Sequence, residues 1–331
     1  MLRTMPDMLE KDVFQGVVGH QAVRDVLTRA IDAPKHGYLI VGSNGSGSHL
    51  LAEAFVRALV NLSSERSFSS HPDLVCVSLE AGEEGKRSSK RNIPVEIVRE
   101  ARVRMSGRPM VAERMVMYVP EAERLNDEGV NALLKVVEEP PAGAVFVFVS
   151  RSTARIPTTL QSRLVRVELG RVRGVEIREW LMGQGIAQAV CDEAIAIADG
   201  CPGRAWRYAH EAEERERVAY ARDVIHRLCE ARDLGSLFAA IAEDASFCDA
   251  AEDPVLEWQK TLQLWETLLR GAWHASPRRV QGIGQAFLLA NRAIGGPISP
   301  RIWLELGFAS VIEDRLSFPA LVPSSFPVSF E

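Results

Sequence analysis

The residues Gly42-Ser-Asn-Gly-Ser-Gly-Ser-His49 lie between a run of buried-strand type, Tyr38-Leu-Ile-Val41, and a segment with helical apolar spacing. Strand, glycine-rich turn, helix is the setting of a phosphate-binding loop. Its pattern is G-x-x-x-x-G-K-[ST], in which the lysine serves the β- and γ-phosphates and the hydroxyl serves Mg²⁺. Gly42 and Gly47 fall on the two glycine positions, with Gly45 between them. Ser48 stands where the lysine belongs and His49 where the Ser or Thr belongs. Leu51, Ala54, Phe55, Ala58, Leu59 and Leu62 then share one helical face. For the glycines alone, a flexible strand-to-helix turn is the plain alternative. The flanking elements favour a phosphate loop that has lost both working side chains.

A nucleotide-hydrolysing site also needs a strand ending in an acid that holds the metal, with a glutamate beside it to position water. Here the strand Val116-Met-Tyr-Val119 ends in Pro120, which cannot coordinate a cation, and Glu121 follows. Glu121 reads equally well as a solvated acid at the start of a helix. Lysine, hydroxyl and metal acid each supply a separate part of the electrostatic stabilisation on which phosphoryl transfer depends. Losing all of them predicts negligible turnover and no tightly held MgATP. The backbone N–H groups from Ser46 to His49 keep only a weak pull on an anion at the helix start.

The elements that must position these residues alternate. Helical spacing covers 17–33; strands are predicted at 38–41, 74–79, 116–119, 144–149 and 165–169. Between them, helices are predicted from Leu50, from Pro94 and over 126–138, the last stopped by Pro140 and Pro141. Ala144-Val-Phe-Val-Phe-Val149 is apolar throughout, as a central parallel strand covered on both faces must be. Such alternation predicts a doubly wound α/β domain. After it only helices are predicted, at 174–184, 187–199 and 203–212, and then at 234–244, 254–273, 277–294 and 299–315, following a highly charged helix from about 213. The domain boundaries expected are 1–169 (α/β), 170–212 (small helical), 213–316 (larger helical) and 317–331 (loose tail).

Composition narrows the class. The chain has 331 residues, 47% hydrophobic and 25% charged, with 39 Lys and Arg against 44 Asp and Glu for a net charge of −5. No global basic field draws it to nucleic acid. No apolar run approaches the roughly 20 residues that span a bilayer, so no membrane role is expected. The five cysteines are scattered without a C-x-x-C pair, and the histidines lack H-x-x-x-H spacing. This predicts free thiols, no zinc and a cytoplasmic setting.

Several further stretches carry a resemblance. Asn131-Ala-Leu-Leu-Lys-Val-Val-Glu-Glu-Pro-Pro141 closely resembles the NALLKxLEEPP signature of bacterial clamp-loader AAA+ subunits. His71-Pro-Asp-Leu74, Ile93-Pro-Val-Glu-Ile-Val-Arg99, Ser162-Arg163-Leu164 (the family's Ser-Arg-Cys with leucine for cysteine) and Gly203-Arg204-Ala205 match in order over about 15–210. The fold implied is an AAA+ P-loop-type α/β domain, a helical lid and an all-α collar. The role implied is a structural subunit of the DNA polymerase III clamp loader that does not itself hydrolyse ATP. Its implied partners are the clamp-loader ATPase subunits and the delta subunit, with the sliding clamp and primer-template DNA reached through the complex. The family's usual zinc module after the loop helix is replaced here by Ser63-Ser-Glu-Arg-Ser-Phe-Ser-Ser70.

By the same resemblance, Arg163 is the arginine finger that reaches a neighbouring subunit's ATP; an arginine on an exposed loop is the plainer reading. A guanidinium is always charged and forks onto phosphate oxygens as lysine cannot. Arg204 is the lid arginine, Ser150 a strand-end sensor or merely a turn serine. The basic residues Lys86, Arg87, Lys90 and Arg91 belong to a charged loop (80–92) more in keeping with solvent than with DNA. The apolar residues Leu256, Leu262, Leu264, Trp265, Leu268 and Leu269 are either simple core or an oligomerisation face. Two other functions remain open to sequence: an active ATPase subunit with unusual chemistry, using His49, and an independent DNA-binding regulator.

Overall fold

A computed structural model describes residues 13–63, 66–79, 92–251, 253–271, 277–294, 296 and 298–312. The basic cluster from Lys86 to Arg91 and the expected tail at 317–331 lie outside them. The chain forms two compact units that meet between Ala209 and His210.

The first unit is built on a sheet of five parallel strands: β1 (Gly37–Gly42), β2 (Leu74–Cys76), β3 (Met115–Val119), β4 (Ala144–Ser150) and β5 (Val165–Leu169), in the order β2-β3-β4-β1-β5. Side chains alternate across each strand, so β4 divides its residues between two cores. Phe146 and Phe148 pack with Val98 and Met105 of α3 (Val95–Met105) and with Leu133 and Val137 of α4 (Asp127–Glu138). Val145, Val147 and Val149 pack on the other face with Leu27 of α1 (Gln21–Asp32) and Leu51 and Phe55 of α2 (Ser48–Leu59). The same unit ends in three lid helices, α6 (Gly174–Gly183), α7 (Gln188–Ala198) and α8 (Pro202–His210), after the short α5 (Thr158–Gln161).

Several boundaries differ from expectation (β2 ends at Cys76 rather than residue 79), two of them for evident physical reasons. The first helix starts at Gln21 rather than residue 17, because Gly19 (φ 69°) and His20 (φ 56°) are both left-handed and cannot continue a right-handed helix. The helix expected at 234–244 runs on to Ala250 as α10 (Leu234–Ala250), since Ala245 and Cys248 keep its buried face going.

The second unit comprises α9 (Ala212–Glu230), α10, α11 (Pro254–Gly271), α12 (Pro277–Ala293) and α13 (Pro300–Ile312). Its core packs the Trp265 ring tilted against Phe287 (centroids 5.5 Å apart) and Phe287 edge-to-face with Phe308 (6.4 Å). Of the two readings of the α11 residues, simple core fits Leu262, Leu264, Trp265 and Leu269, which are buried inside their own unit, while Leu256 and Leu268 are half-buried. Among the described residues of this unit, large apolar side chains are exposed at Phe247, Leu288, Ile298, Ile302 and Leu306.

One buried carboxylate fixes the start of the sheet. Asp73, fully buried before β2, accepts the backbone N–H groups of Met110 (2.6 Å), Val111 (2.7 Å) and Ala112 (2.6 Å). Its own carbonyl accepts from Val116 of β3 at 2.9 Å. Burial alone would push its pKa up, but the three N–H donors together outweigh it and hold the carboxyl below the usual range. The contribution of Asp73 is therefore complete above the ordinary carboxylate range and lost as pH falls through its lowered folded-state value. Asp73→Asn, which leaves buried N–H groups without an anion, is expected to destabilise the fold by about 2–4 kcal/mol. Urea unfolding across pH should show the gap to the unsubstituted protein closing in acid.

Candidate functional site

In the register of the sheet Val41 lies opposite Ser150, and Val119 opposite Phe148. The glycine loop after β1, Pro120 and Glu121 after β3, and Ser150 at the end of β4 therefore gather at the carboxyl edge, where open α/β sheets bind ligands.

Within the loop, Gly45 (φ 82°) and Gly47 (φ 94°) are left-handed, which suits glycine. Gly42 is needed for space: a Cβ there would meet Ser46 Oγ at 2.4 Å and Ser48 Cβ at 2.9 Å. Ser46 and Ser48 are buried within the loop, and Ser46 Oγ accepts from Ser48 N at 3.4 Å. One N–H that could face an anion is thus engaged by the loop's own hydroxyl. His20 donates from Nε2 to the Ser46 carbonyl at 3.1 Å. Burial lowers the His20 pKa, against the raising pull of that carbonyl and of Glu176, and so favours the neutral ring that makes this bond. His49 is exposed.

The lid rests directly on this loop. Gly203 N donates to the Gly45 carbonyl at 2.9 Å, and Ser43 Oγ lies 3.3 Å from Cys201 Sγ. A Cβ on Gly203 would come within 3.1 Å of Gly45 Cα, and one on Gly45 within 3.1 Å of Arg204 N. Two glycines are required for backbones to approach this closely. Beside the contact remains a cavity of about 410 Å³, lined by Val17, Val18, the loop from Asn44 to Leu50, Trp180, Pro202, Gly203 and Trp206. Arg204 is only 7% exposed; its Nη2 reaches Cys201 Sγ at 3.7 Å, and its buried Nη1 has no hydrogen-bond partner among the described residues.

The acids that follow β3 are already paired, in part with the arginine that follows β4. Glu121 Oε1 pairs with Arg124 Nε at 3.0 Å and with Arg151 Nη2 at 3.8 Å, while Arg151 Nε lies 3.6 Å from Glu123 Oε1. Arg151 thus puts a fixed positive charge over the acids next to Pro120. Ser150 is buried, donating to the Ser152 carbonyl (2.8 Å) and accepting from Ser152 N (3.3 Å), so its hydroxyl serves the turn.

Arg163 stands apart from this cluster, following α5 and before β5. Its Nη2 pairs with Glu138 Oε1 at 2.5 Å, its Nη1 donates to the Thr159 carbonyl and to Ser162 Oγ, and its carbonyl accepts from His36 Nε2 at 2.8 Å. Of the residues singled out from sequence, the fold brings Gly42, Gly45, Gly47, Ser48, His49 and Arg204 to one edge and leaves Arg163 at another place. Sequence reading passed over Arg151, Glu138 and the mechanical role of Asp73. Arg151 was within reach, because it directly follows Ser150 on the strand that neighbours β3; the partner of Glu138 was not.

Residues 19–173 match the family model described as DNA polymerase III, delta subunit. A DNA polymerase III subunit gamma/tau of Mycobacterium bovis is 32% identical over 160 residues, 45% of this chain and 27% of that protein. DNA polymerase III subunit delta' of Escherichia coli is 30% identical over 136 residues, 41% of this chain and 39% of that protein. The chain thus spans well under half the length of these relatives. Among solved structures, a DNA polymerase III gamma subunit-related protein from Thermotoga maritima aligns with a TM-score of 0.49 at 18% identity, covering 88% of this chain and 99% of that one.

The loop's dependence on its glycines is open to a direct check. Gly45→Ala combines a left-handed backbone with a tight contact on Arg204 N, and is expected to destabilise the first unit by about 1–3 kcal/mol. The measurement is the urea midpoint of the full chain.

Proposed function

We propose that this chain, a clamp-loader-family protein of the DNA polymerase III type over residues 19–173, is a delta-prime-like subunit that does not hydrolyse ATP. Its AAA+ and lid region supplies Arg163 in trans to the ATP site of a neighbouring ATPase subunit. Its helical second unit joins the other subunits, including delta, so that the complex loads the sliding clamp onto primed DNA. The observation that carries the reading is the state of its own nucleotide edge. Ser48 and His49 replace the loop's working residues, Pro120 replaces the metal acid, Arg151 lies over the remaining carboxylates, and Gly203 is bonded to Gly45. An arginine over the acids opposes a bound Mg²⁺ by charge, and the lid takes up a main-chain carbonyl of the loop.

Support for the donated arginine is its place. Arg163 is 35% exposed, and it is held by Glu138 at the end of α4 and by Thr159 of α5 rather than by the nucleotide edge. In well-studied NTPases such a cation is worth 10³–10⁵ in rate. Exposed Phe247, Ile302 and Leu306 give the second unit apolar surface suited to association. No zinc or nucleotide cofactor is assigned to the chain.

A second reading, an ATPase subunit with unusual chemistry, draws on the cavity of about 410 Å³ and on the buried Arg204 Nη1, which would welcome an anion. Titrating the isolated chain with a fluorescent ATP analogue separates the two. No Mg²⁺-dependent binding in the micromolar range and no phosphate release are expected, and either one, if found, favours the second reading. In the reconstituted complex, Arg163→Ala should lower turnover at the site it faces by about 10³-fold or more while subunit assembly, followed by size-exclusion, is retained. Unchanged ATP turnover of the complex would remove Arg163 from the mechanism.

A further inference from the structure

The cation assigned to a neighbour is, in this chain, already occupied. Both terminal nitrogens of Arg163, the ones that would fork onto phosphate oxygens, are engaged: Nη2 on Glu138 at 2.5 Å, Nη1 on Thr159 of the preceding short helix and on Ser162 just after it. Glu138 is the last residue of α4, with Pro140 just beyond it. A carboxylate there faces the negative end of the helix dipole and works against the helix. Helix stability therefore gives no reason for an acid at this position; the guanidinium opposite it does.

The strength of the pair decides what it can do. The side chains of Arg163 and Glu138 are 35% and 42% exposed. Water and salt hold exposed pairs of this kind to at most about fivefold in an equilibrium constant. That suffices to bias the resting position of a long side chain. It is far short of the 10³–10⁵ associated with an arginine engaging a transferring phosphoryl group. Charge favours the exchange too, since a triphosphate carries more negative charge than one carboxylate and accepts a bidentate fork.

We propose that Glu138 is an intrachain competitor for Arg163, sheathing the guanidinium until a neighbouring subunit's triphosphate takes its place. The inference rests on the trans-arginine reading above. In the sheathed state the terminal N–H groups donate to Glu138, Thr159 and Ser162. In the engaged state Nη2 leaves Glu138 for phosphate oxygen, and the carboxylate returns to water. The His36 bond to the Arg163 carbonyl is independent of this exchange and keeps the backbone in place.

The test uses the reconstituted clamp-loading complex and its steady-state ATP turnover, with four forms of this chain: unsubstituted, E138Q, R163A and the double variant. E138D, which keeps the charge, serves as the conservative control and should match the unsubstituted chain. The expected result is that E138Q raises turnover, by up to about fivefold, and that the gain vanishes in the R163A background. Unchanged or reduced turnover with E138Q, where R163A alone lowers it, overturns the competitor role while leaving the trans-arginine reading intact. A gain that persists in the R163A background also overturns it, because the effect then bypasses the guanidinium. If R163A by itself changes nothing, the trans-arginine reading fails and the competitor role falls with it.

Discussion

The bond from Gly203 N to the Gly45 carbonyl, 2.9 Å long, joins the lid to the glycine loop through main-chain atoms alone. It exists because neither residue carries a Cβ: the space one would need is filled by the other's backbone, or by the N–H next to it, at 3.1 Å. With that approach fixed, the rest of the edge follows. Ser43 meets Cys201, Arg204 is carried into the interior, and the cavity beside Trp180 and Trp206 is bounded by protein on the side where the loop meets the lid. Ser46 turns inward and serves the loop itself. The N–H of Ser48, at the start of α2, is thereby engaged by the chain itself.

The arginines divide the remaining electrostatics by depth. Arg204 is buried with a thiol as its acceptor, an arrangement that leaves one nitrogen without a partner among the described residues and costs the fold some desolvation energy. Arg151 and Arg124 pair with the acids that follow β3. Arg163 is the shallowest of these, and its pairing with Glu138 is correspondingly weak. The same side chain thus packs a lid, cancels acids, or stays available, and exposure is what separates these roles.

Asp73 shows the opposite use of charge. A fully buried carboxylate is tolerated because three backbone N–H groups converge on it, and in return it ties residues 110–112 to the first residue of the β2–β3 ladder. It is a mechanical anchor, distant in role from catalysis, in a motif that resemblance alone would have left unexplained.

The sequence by itself determined the parallel α/β sheet, the order of strands and helices along the chain, and the absence of lysine and metal acid from their positions. Those features reside in local periodicity, in proline and glycine placement, and in which side chains are present at all. It could not show that Arg151 covers Glu121 and Glu123, that Gly203 touches Gly45 across 158 positions of chain (203 − 45), or that Glu138 holds Arg163. It also left open whether the apolar residues of α11 face a partner or their own core; packing buried Leu262, Leu264, Trp265 and Leu269 in the core. These are contacts between distant segments. They depend on how helices close over the sheet, a matter of three-dimensional packing that no single stretch of residues encodes.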